Sequence, residues 1–349
     1  MANFTYATMI GSLPHLNPEE ACRLVLACFP QFPVWPQLTR LSFKENMYVQ
    51  YSQCVPGLVI NEEKNIIYFK QGPEWEKDLE KFYERFLEDD LNYFAITPEY
   101  ACGLHTLYEQ IKQSPPKRLK MIKGQITGPI TFGLAIKDEH GRSIFYNQQM
   151  VDLIVKNCMM KARWQIQKFR RLHQDFVLFL DEPYLSAYGS AFTALSRQEV
   201  INCLNEIIEA VHREKVPVGV HCCGNTDWSL LLDSEIDILS FDAYEFFDTL
   251  NLYPDQLRKF INSGKTLAWG LVPTGETVSQ ENVEKLSKNF FTKIESLAQK
   301  GISKEQLLRQ VIITPACGVG TRSPELAEKV LKFTQQLAEE IDRTKNENL

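Results

Sequence analysis

The chain has 349 residues, 38 Lys and Arg against 44 Asp and Glu, a net charge of −6, 44% apolar side chains and 11% aromatics. An acidic balance with no clustered basic excess argues against a nucleic-acid footprint and a polybasic membrane surface, and the apolar content excludes global disorder. No stretch approaches about 18 uninterrupted apolar residues, so no membrane-spanning helix is expected. The N-terminus, MANFTYATMIGSLPH, has no positive region ahead of its apolar run and reads as a strand, not a secretory leader. Nine cysteines is an odd number in a chain far too long to need disulfide staples, so the thiols are expected to be reduced and the protein cytoplasmic.

Short apolar runs alternate with longer amphipathic segments. Eight runs stand out: Thr5–Ile10, Pro33–Trp35, Leu119–Gly124, Phe176–Leu180, Val216–Val220, Ile236–Phe241, Thr266–Trp269 and Val311–Thr314. Several lack polar alternation, as strands buried on both faces do. Asn17-Pro18-Glu19-Glu20 predicts a helix start, with a cap, a proline and acids at the positive dipole end. Gly57–Phe69 predicts a hairpin around Glu62-Glu63-Lys64-Asn65, and Pro73–Asp90 a helix with a charged face. Ser196-Arg197-Gln198-Glu199 is a capping box, and Thr277–Lys300 has helical apolar spacing before Gly301. Ser323-Pro324-Glu325 opens a last helix reaching about Glu340.

About eight strand–helix alternations favour one (β/α)8 barrel domain spanning 1–349, with a hairpin–helix insertion at about 55–95 after the second strand. An open doubly wound sheet is the alternative, but G-x-G-x-x-G is absent and Gly318-Val319-Gly320 is only a fragment of it.

In a barrel, chemistry collects where strands end. The runs end in Gly11-Ser12-Leu13-Pro14-His15, Gln125-Ile126-Thr127-Gly128-Pro129, Asp181-Glu182-Pro183, His221-Cys222-Cys223-Gly224, Asp242-Ala243-Tyr244-Glu245, Trp269-Gly270 and Pro315-Ala316-Cys317-Gly318. His221-x-Cys223 is the sharpest local feature, because residues i and i+2 of a strand project to one side and can grip one ion. Cys317 adds a second thiolate if the barrel closes, and Zn²⁺ suits such an N/S set. Asp242 and Glu245 are candidates for a fourth ligand. The bland alternative makes His221 and Cys223 buried bystanders. Asp181 reads either as a helix cap or as an acceptor for a substrate ammonium, and Gly11-Ser12 as a carboxylate contact. Cys222 should point away and be structural. His15 reads as a substrate contact or a loop residue, and Trp269, Tyr184 and Tyr244 as pocket lining or packing.

These residues, in this order, resemble the uroporphyrinogen decarboxylase/methionine synthase superfamily, and within it the catalytic C-terminal half of cobalamin-independent methionine synthase. The resemblance runs from Ile10-Gly11-Ser12 through Gly128-Pro129-Ile130-Thr131, Asp181-Glu182-Pro183 and His221-x-Cys223 to Cys317-Gly318 with Thr321-Arg322. It implies a (β/α)8 barrel that moves a methyl group to a zinc-bound thiol, most naturally homocysteine, giving methionine. By the resemblance His221, Cys223 and Cys317 are zinc ligands, Asp181 binds the homocysteine amine, and Ile10, Gly11 and Ser12 bind its carboxylate. The family has Glu on the sixth strand; matching the apolar run puts Asp242 there, with Glu245 the less favoured choice. Methionine synthases of this kind are about twice as long, with an N-terminal barrel that helps hold the folate. Short relatives take the methyl group from a methyl-corrinoid on a partner protein. The donor is therefore expected to be methylcobalamin on a corrinoid protein, or methyltetrahydrofolate. A porphyrin decarboxylase, or a non-catalytic corrinoid- or thiol-binding component, is the competing reading.

Overall fold

The computed structural model describes residues 4–191 and 193–347. Its strands are β1 (Phe4–Ala7), β2 (Leu58–Asn61), β3 (Ile66–Phe69), β4 (Ile122–Thr127), β5 (Lys137–Asp138), β6 (Phe176–Asp181), β7 (Val218–Cys222), β8 (Ile238–Phe241), β9 (Thr266–Val272) and β10 (Gln310–Pro315). Seven of them form one curled sheet in the order β1-β10-β9-β8-β7-β6-β4, and every pairing is parallel. Helices join successive strands, as parallel pairing requires. Strands β4, β6, β7, β8 and β9 are buried along their whole length, which is why all but β4 read as largely apolar runs.

The expected second barrel strand, Pro33–Trp35, does not form a ladder. Residues 33–37 instead cross the gap between β1 and β4 by two isolated parallel bridges, Ser12↔Gln37 and Val34↔Lys123. Pro33 and Pro36 carry no N–H, so a continuous ladder cannot run through this segment. Its backbone-to-backbone hydrogen bonds include Gln37 N–H to the Gly11 carbonyl (3.0 Å), Leu13 N–H to the Gln37 carbonyl (2.9 Å) and Lys123 N–H to the Pro33 carbonyl (2.9 Å). The architecture is thus a curled parallel α/β sheet consistent with a TIM-like barrel, its regular ladder not closed. The third run also lies later than its apolar pattern suggests, at Ile122–Thr127 and not Leu119–Gly124. Its inner face carries Lys123 and Gln125, both buried, which masked the strand in an apolar search.

Helix starts follow the local chemistry. The Asn17 side chain accepts from Glu19 N–H (2.9 Å) and Glu20 N–H (3.2 Å), opening the helix Pro18–Cys28. Ser196 and Glu199 form the reciprocal capping box of Arg197–Arg213. The single helix expected over Thr277–Lys300 is a short 3-10 turn, Glu276–Gln280, followed by the helix Val283–Gln299. Asn282 divides them by accepting from Lys285 N–H at 2.8 Å. The last helix runs from Pro324 to Glu347, beyond the expected Glu340. Ile341 is fully buried, and Lys345 Nζ donates to Thr5 Oγ1 (2.7 Å), so the extra turns are tied to β1.

The expected hairpin is β2 and β3, paired antiparallel, with Asn65 at φ 51° in its turn. It gains a third strand, β5, not foreseen from sequence. The charged helix is Trp75–Leu87, which buries Trp75 and Phe82. No helix among the described residues is long and apolar enough to cross a membrane.

Inside the curl, Phe32, Val177, Phe179, Ile238, Ala268 and Ile312 pack together, flanked by Phe4, Tyr6 and Met121. The next inward-facing positions toward the strand ends are polar: Asp181 on β6, His221 on β7 and Ser240 on β8, with Asp181↔His221 and His221↔Ser240 in register. An apolar plug thus floors a polar mouth.

Candidate metal centre

His221 is the penultimate residue of β7, and Cys223 follows the strand directly. Cys317 lies two residues beyond the end of β10. The ligand atoms of these three side chains all lie within 4.8 Å of one another. His221 Nδ1 is 3.0 Å from Ser240 Oγ, while Nε2 is buried and has no hydrogen-bond partner. If Nδ1 carries the proton and donates it to Ser240, Nε2 holds a free lone pair, the arrangement a metal-binding imidazole needs. The hydrogen bond between the sulfurs separates the two thiols. It draws Cys317 down to about 4, with further help from His221, and pushes Cys223 up. Of the two sulfurs, Cys317 is thus the one favoured as thiolate. A buried imidazole nitrogen without a partner, set beside two sulfurs, fits a thiophilic divalent ion such as Zn²⁺.

Asp242 follows β8, and its carboxyl is near enough to His221 to feel its charge. Its Oδ1 accepts from Tyr244 N–H (3.0 Å) and Glu245 N–H (2.9 Å), a turn-capping role. Burial, the larger effect, raises it to about 6. Glu245 is exposed. Neither belongs to the three-residue cluster found among the described residues.

Asp181 ends β6 beside His221 and caps no helix. It is 5% exposed, its Oδ1 has no partner, and burial pushes its carboxyl up to about 6 against the pull of Lys123 and His221. Its neighbour Glu182 does the capping, for a different helix. The Glu182 carboxylate accepts from Ile130 N–H (3.0 Å) and Thr131 N–H (2.7 Å) at the start of Pro129–Ala135. The Gly128-Pro129-Ile130-Thr131 and Asp181-Glu182-Pro183 motifs are therefore two halves of one contact. A Cβ on Gly128 would sit 2.2 Å from Glu182 Oε1. Gly128→Ala should accordingly lower the thermal unfolding midpoint by several degrees, corresponding to about 1–3 kcal/mol; an unchanged midpoint would refute this contact.

The Ile10-Gly11-Ser12 segment borders the same mouth. Lys123 Nζ, fully buried, donates to the Met9 carbonyl (2.9 Å) and the Ile10 carbonyl (2.5 Å) and fixes the approach to Gly11. Ser12 Oγ accepts from Gly320 N–H (3.1 Å), so the Gly318-Val319-Gly320 fragment serves Ser12 and not a dinucleotide. Cys222 is buried and donates to the Gly224 carbonyl (3.4 Å), a structural role. Trp269 packs among Phe241, Phe247 and Phe290. Tyr244 donates to Glu281 (2.9 Å) and Tyr184 stacks edge-on to Tyr48. Sequence reasoning missed Ser240 and Lys123, and which helix Glu182 caps. Polar residues inside otherwise apolar buried runs were the available signal.

No protein-family model matches the chain, and no curated protein matches it. Among solved structures it is similar to a B12-independent methionine synthase from Shewanella sp. W3-18-1, in complex with selenomethionine. The similarity covers 99% of each chain at a TM-score of 0.57 and 15% sequence identity. At that identity the likeness is one of fold.

Proposed function

We propose that this chain is a zinc-dependent methyltransferase that moves a methyl group to a small thiol, with homocysteine as acceptor and methionine as product. The observation that carries this reading is the His221, Cys223 and Cys317 cluster, with the unpartnered carboxylate of Asp181 beside it. His221, Cys223 and Cys317 would hold the ion, and Ser240 would keep the His221 ring turned toward it. Bound zinc would supply an acceptor thiol already deprotonated at neutral pH, where a free thiol of pKa about 8.5 is only a few per cent thiolate.

The protein's own residues would supply position. Asp181 accepts from the substrate ammonium, while Gly11 and the Ser12 hydroxyl, whose own proton is free to donate, meet the carboxylate. Held at both polar groups, the sulfur has one direction left in which to meet an incoming methyl group, and such alignment lowers the barrier by several kcal/mol. The apolar plug of Phe179, Ile238 and Ile312 keeps bulk water from entering below. A small thiol without an amine would leave Asp181 unpaired, which favours an amino-acid thiol.

The donor would be a methyl-corrinoid on a partner protein or methyltetrahydrofolate. A solved chain matched over 99% of its length bears the description B12-independent methionine synthase, so a comparable extent of chain carries that name. The deciding experiment loads the purified protein with zinc and supplies homocysteine with methylcobalamin or methyltetrahydrofolate in turn. Methionine should form from one of the donors, and His221→Ala should abolish it. Methionine from neither donor, with zinc bound, would sink the reading. Decarboxylation of a porphyrin substrate that survives His221→Ala would favour the competing branch.

A further inference from the structure

Besides His221 Nε2, four side chains inside the curl keep buried polar atoms without partners: Thr8 Oγ1, Gln125 Oε1, Asp181 Oδ1 and Thr314 Oγ1. Hydroxyls can rotate toward whatever is present, so the two carbonyl-type oxygens are the demanding pair. Gln125 is 0% exposed. Its amide orientation is set by Nε2 donating to the Trp35 carbonyl at 3.0 Å, so the atom left over is the acceptor. That oxygen lies beneath Gly11, where a Cβ would come within 2.4 Å of it. Gln125 stands two positions before Thr127, which pairs with Asp181, so the two acceptors share one face of adjacent strands. Lys123, the cation on the same strand face, is already committed to the Met9 and Ile10 carbonyls. Two buried acceptors without hydrogen-bond partners cost free energy unless a ligand rich in N–H groups completes them.

We propose that Gln125 Oε1 and Asp181 together bind the primary ammonium of the acceptor, making Gln125 a specificity-determining residue that selects α-amino thiols over thiols lacking the amine. This rests on the thiol-acceptor reading above and adds a residue to it. Gly11 belongs to the same device, because a side chain there would push the Gln125 amide out of place.

The test is calorimetric binding of homocysteine and of 4-mercaptobutyrate, which is homocysteine without its amine, to the zinc-loaded protein. The wild type should prefer homocysteine by at least about tenfold, the scale of a hydrogen bond to a charged group. Gln125→Met, which removes the acceptor, should cut that ratio by about tenfold through homocysteine alone. Gln125→Glu keeps an acceptor and adds charge while losing the bond to Trp35, and should raise the ratio at least about threefold. An unchanged ratio in Gln125→Met, or equal loss for both thiols, would mean that water or packing occupies this place and would overturn the proposal alone. A wild type that binds neither thiol would overturn both the proposal and the reading beneath it. Should Gln125→Met fail to fold, an unmoved or lowered ratio in Gln125→Glu overturns the assignment by itself.

Discussion

Cys317→Ser is expected to take bound zinc from about one ion per chain to below about a tenth of that, and to reduce thiol methylation by about a thousandfold or more. The expectation follows from the proposed ligand set. Cys317 is the sulfur drawn toward the thiolate, down to about 4, by the hydrogen bond from Cys223 and by His221. A serine hydroxyl at that position stays protonated and is a poor ligand for a borderline-soft ion. Two elements would lose their common anchor, since Cys223 follows β7 and Cys317 follows β10. Cys222→Ser is the control: its sulfur turns to the Gly224 carbonyl, so zinc content should not change. Metal analysis after dialysis reads both variants directly. Full zinc retention by Cys317→Ser would remove it from the ligand set.

Replacing Glu182 should produce the largest loss of stability away from the metal centre. The side chain is fully buried and accepts two backbone N–H groups at the start of Pro129–Ala135. Glu182→Ala leaves both donors unsatisfied around a cavity, and should cost about 3–5 kcal/mol in denaturant unfolding. Glu182→Gln keeps one acceptor and should cost about 1–3 kcal/mol.

The two proteins should also differ in pH dependence. Burial raises the Glu182 carboxyl to about 7, from an ordinary value of 4.5. Below pH 4.5 both folded and unfolded chains hold the proton. As pH rises from 4.5 through 7 the unfolded chain releases it first, so stability falls, by about 3 kcal/mol at most for this shift. Asp181 and Asp242, each raised to about 6, add slopes of the same sign, so the comparison must be between variant and wild type. Glu182→Gln should be flatter over that window. Parallel curves for the two proteins would contradict the assignment.

Much of this was legible in the amino-acid order because it depends on local rules. Asn17 and Ser196 cap the helices they precede, and unbroken apolar runs mark strands covered on both sides. His221-x-Cys223 was visible because strand alternation alone brings the two to one side. Joining them to Cys317 required the curl of the sheet, which puts the three ligand atoms within 4.8 Å of one another. What stayed hidden depends on pairs distant in the chain. Glu182 meets Ile130 and Thr131 some fifty positions earlier, and Ser240 meets His221 across a strand pair. Lys123 and Gln125 were obscured because charge and amide inside a strand read as surface. The Pro33–Trp35 run reads as a full strand by its apolar residues, while Pro33 and Pro36 withhold the N–H groups a ladder needs.

That proline-bearing segment has a bearing on the protein's life in a crowded solution. Strands β1 and β4 are the two ends of the seven-stranded order, and a bare strand end is a template on which another chain can add and begin to aggregate. Residues 33–37 lie between these ends, with one bridge to Lys123 of β4 and one to Ser12, beyond β1. The prolines that keep the ladder from completing also deny an incoming strand a regular row of donors. An incoming strand would therefore meet prolines at this gap instead of an open row of N–H groups.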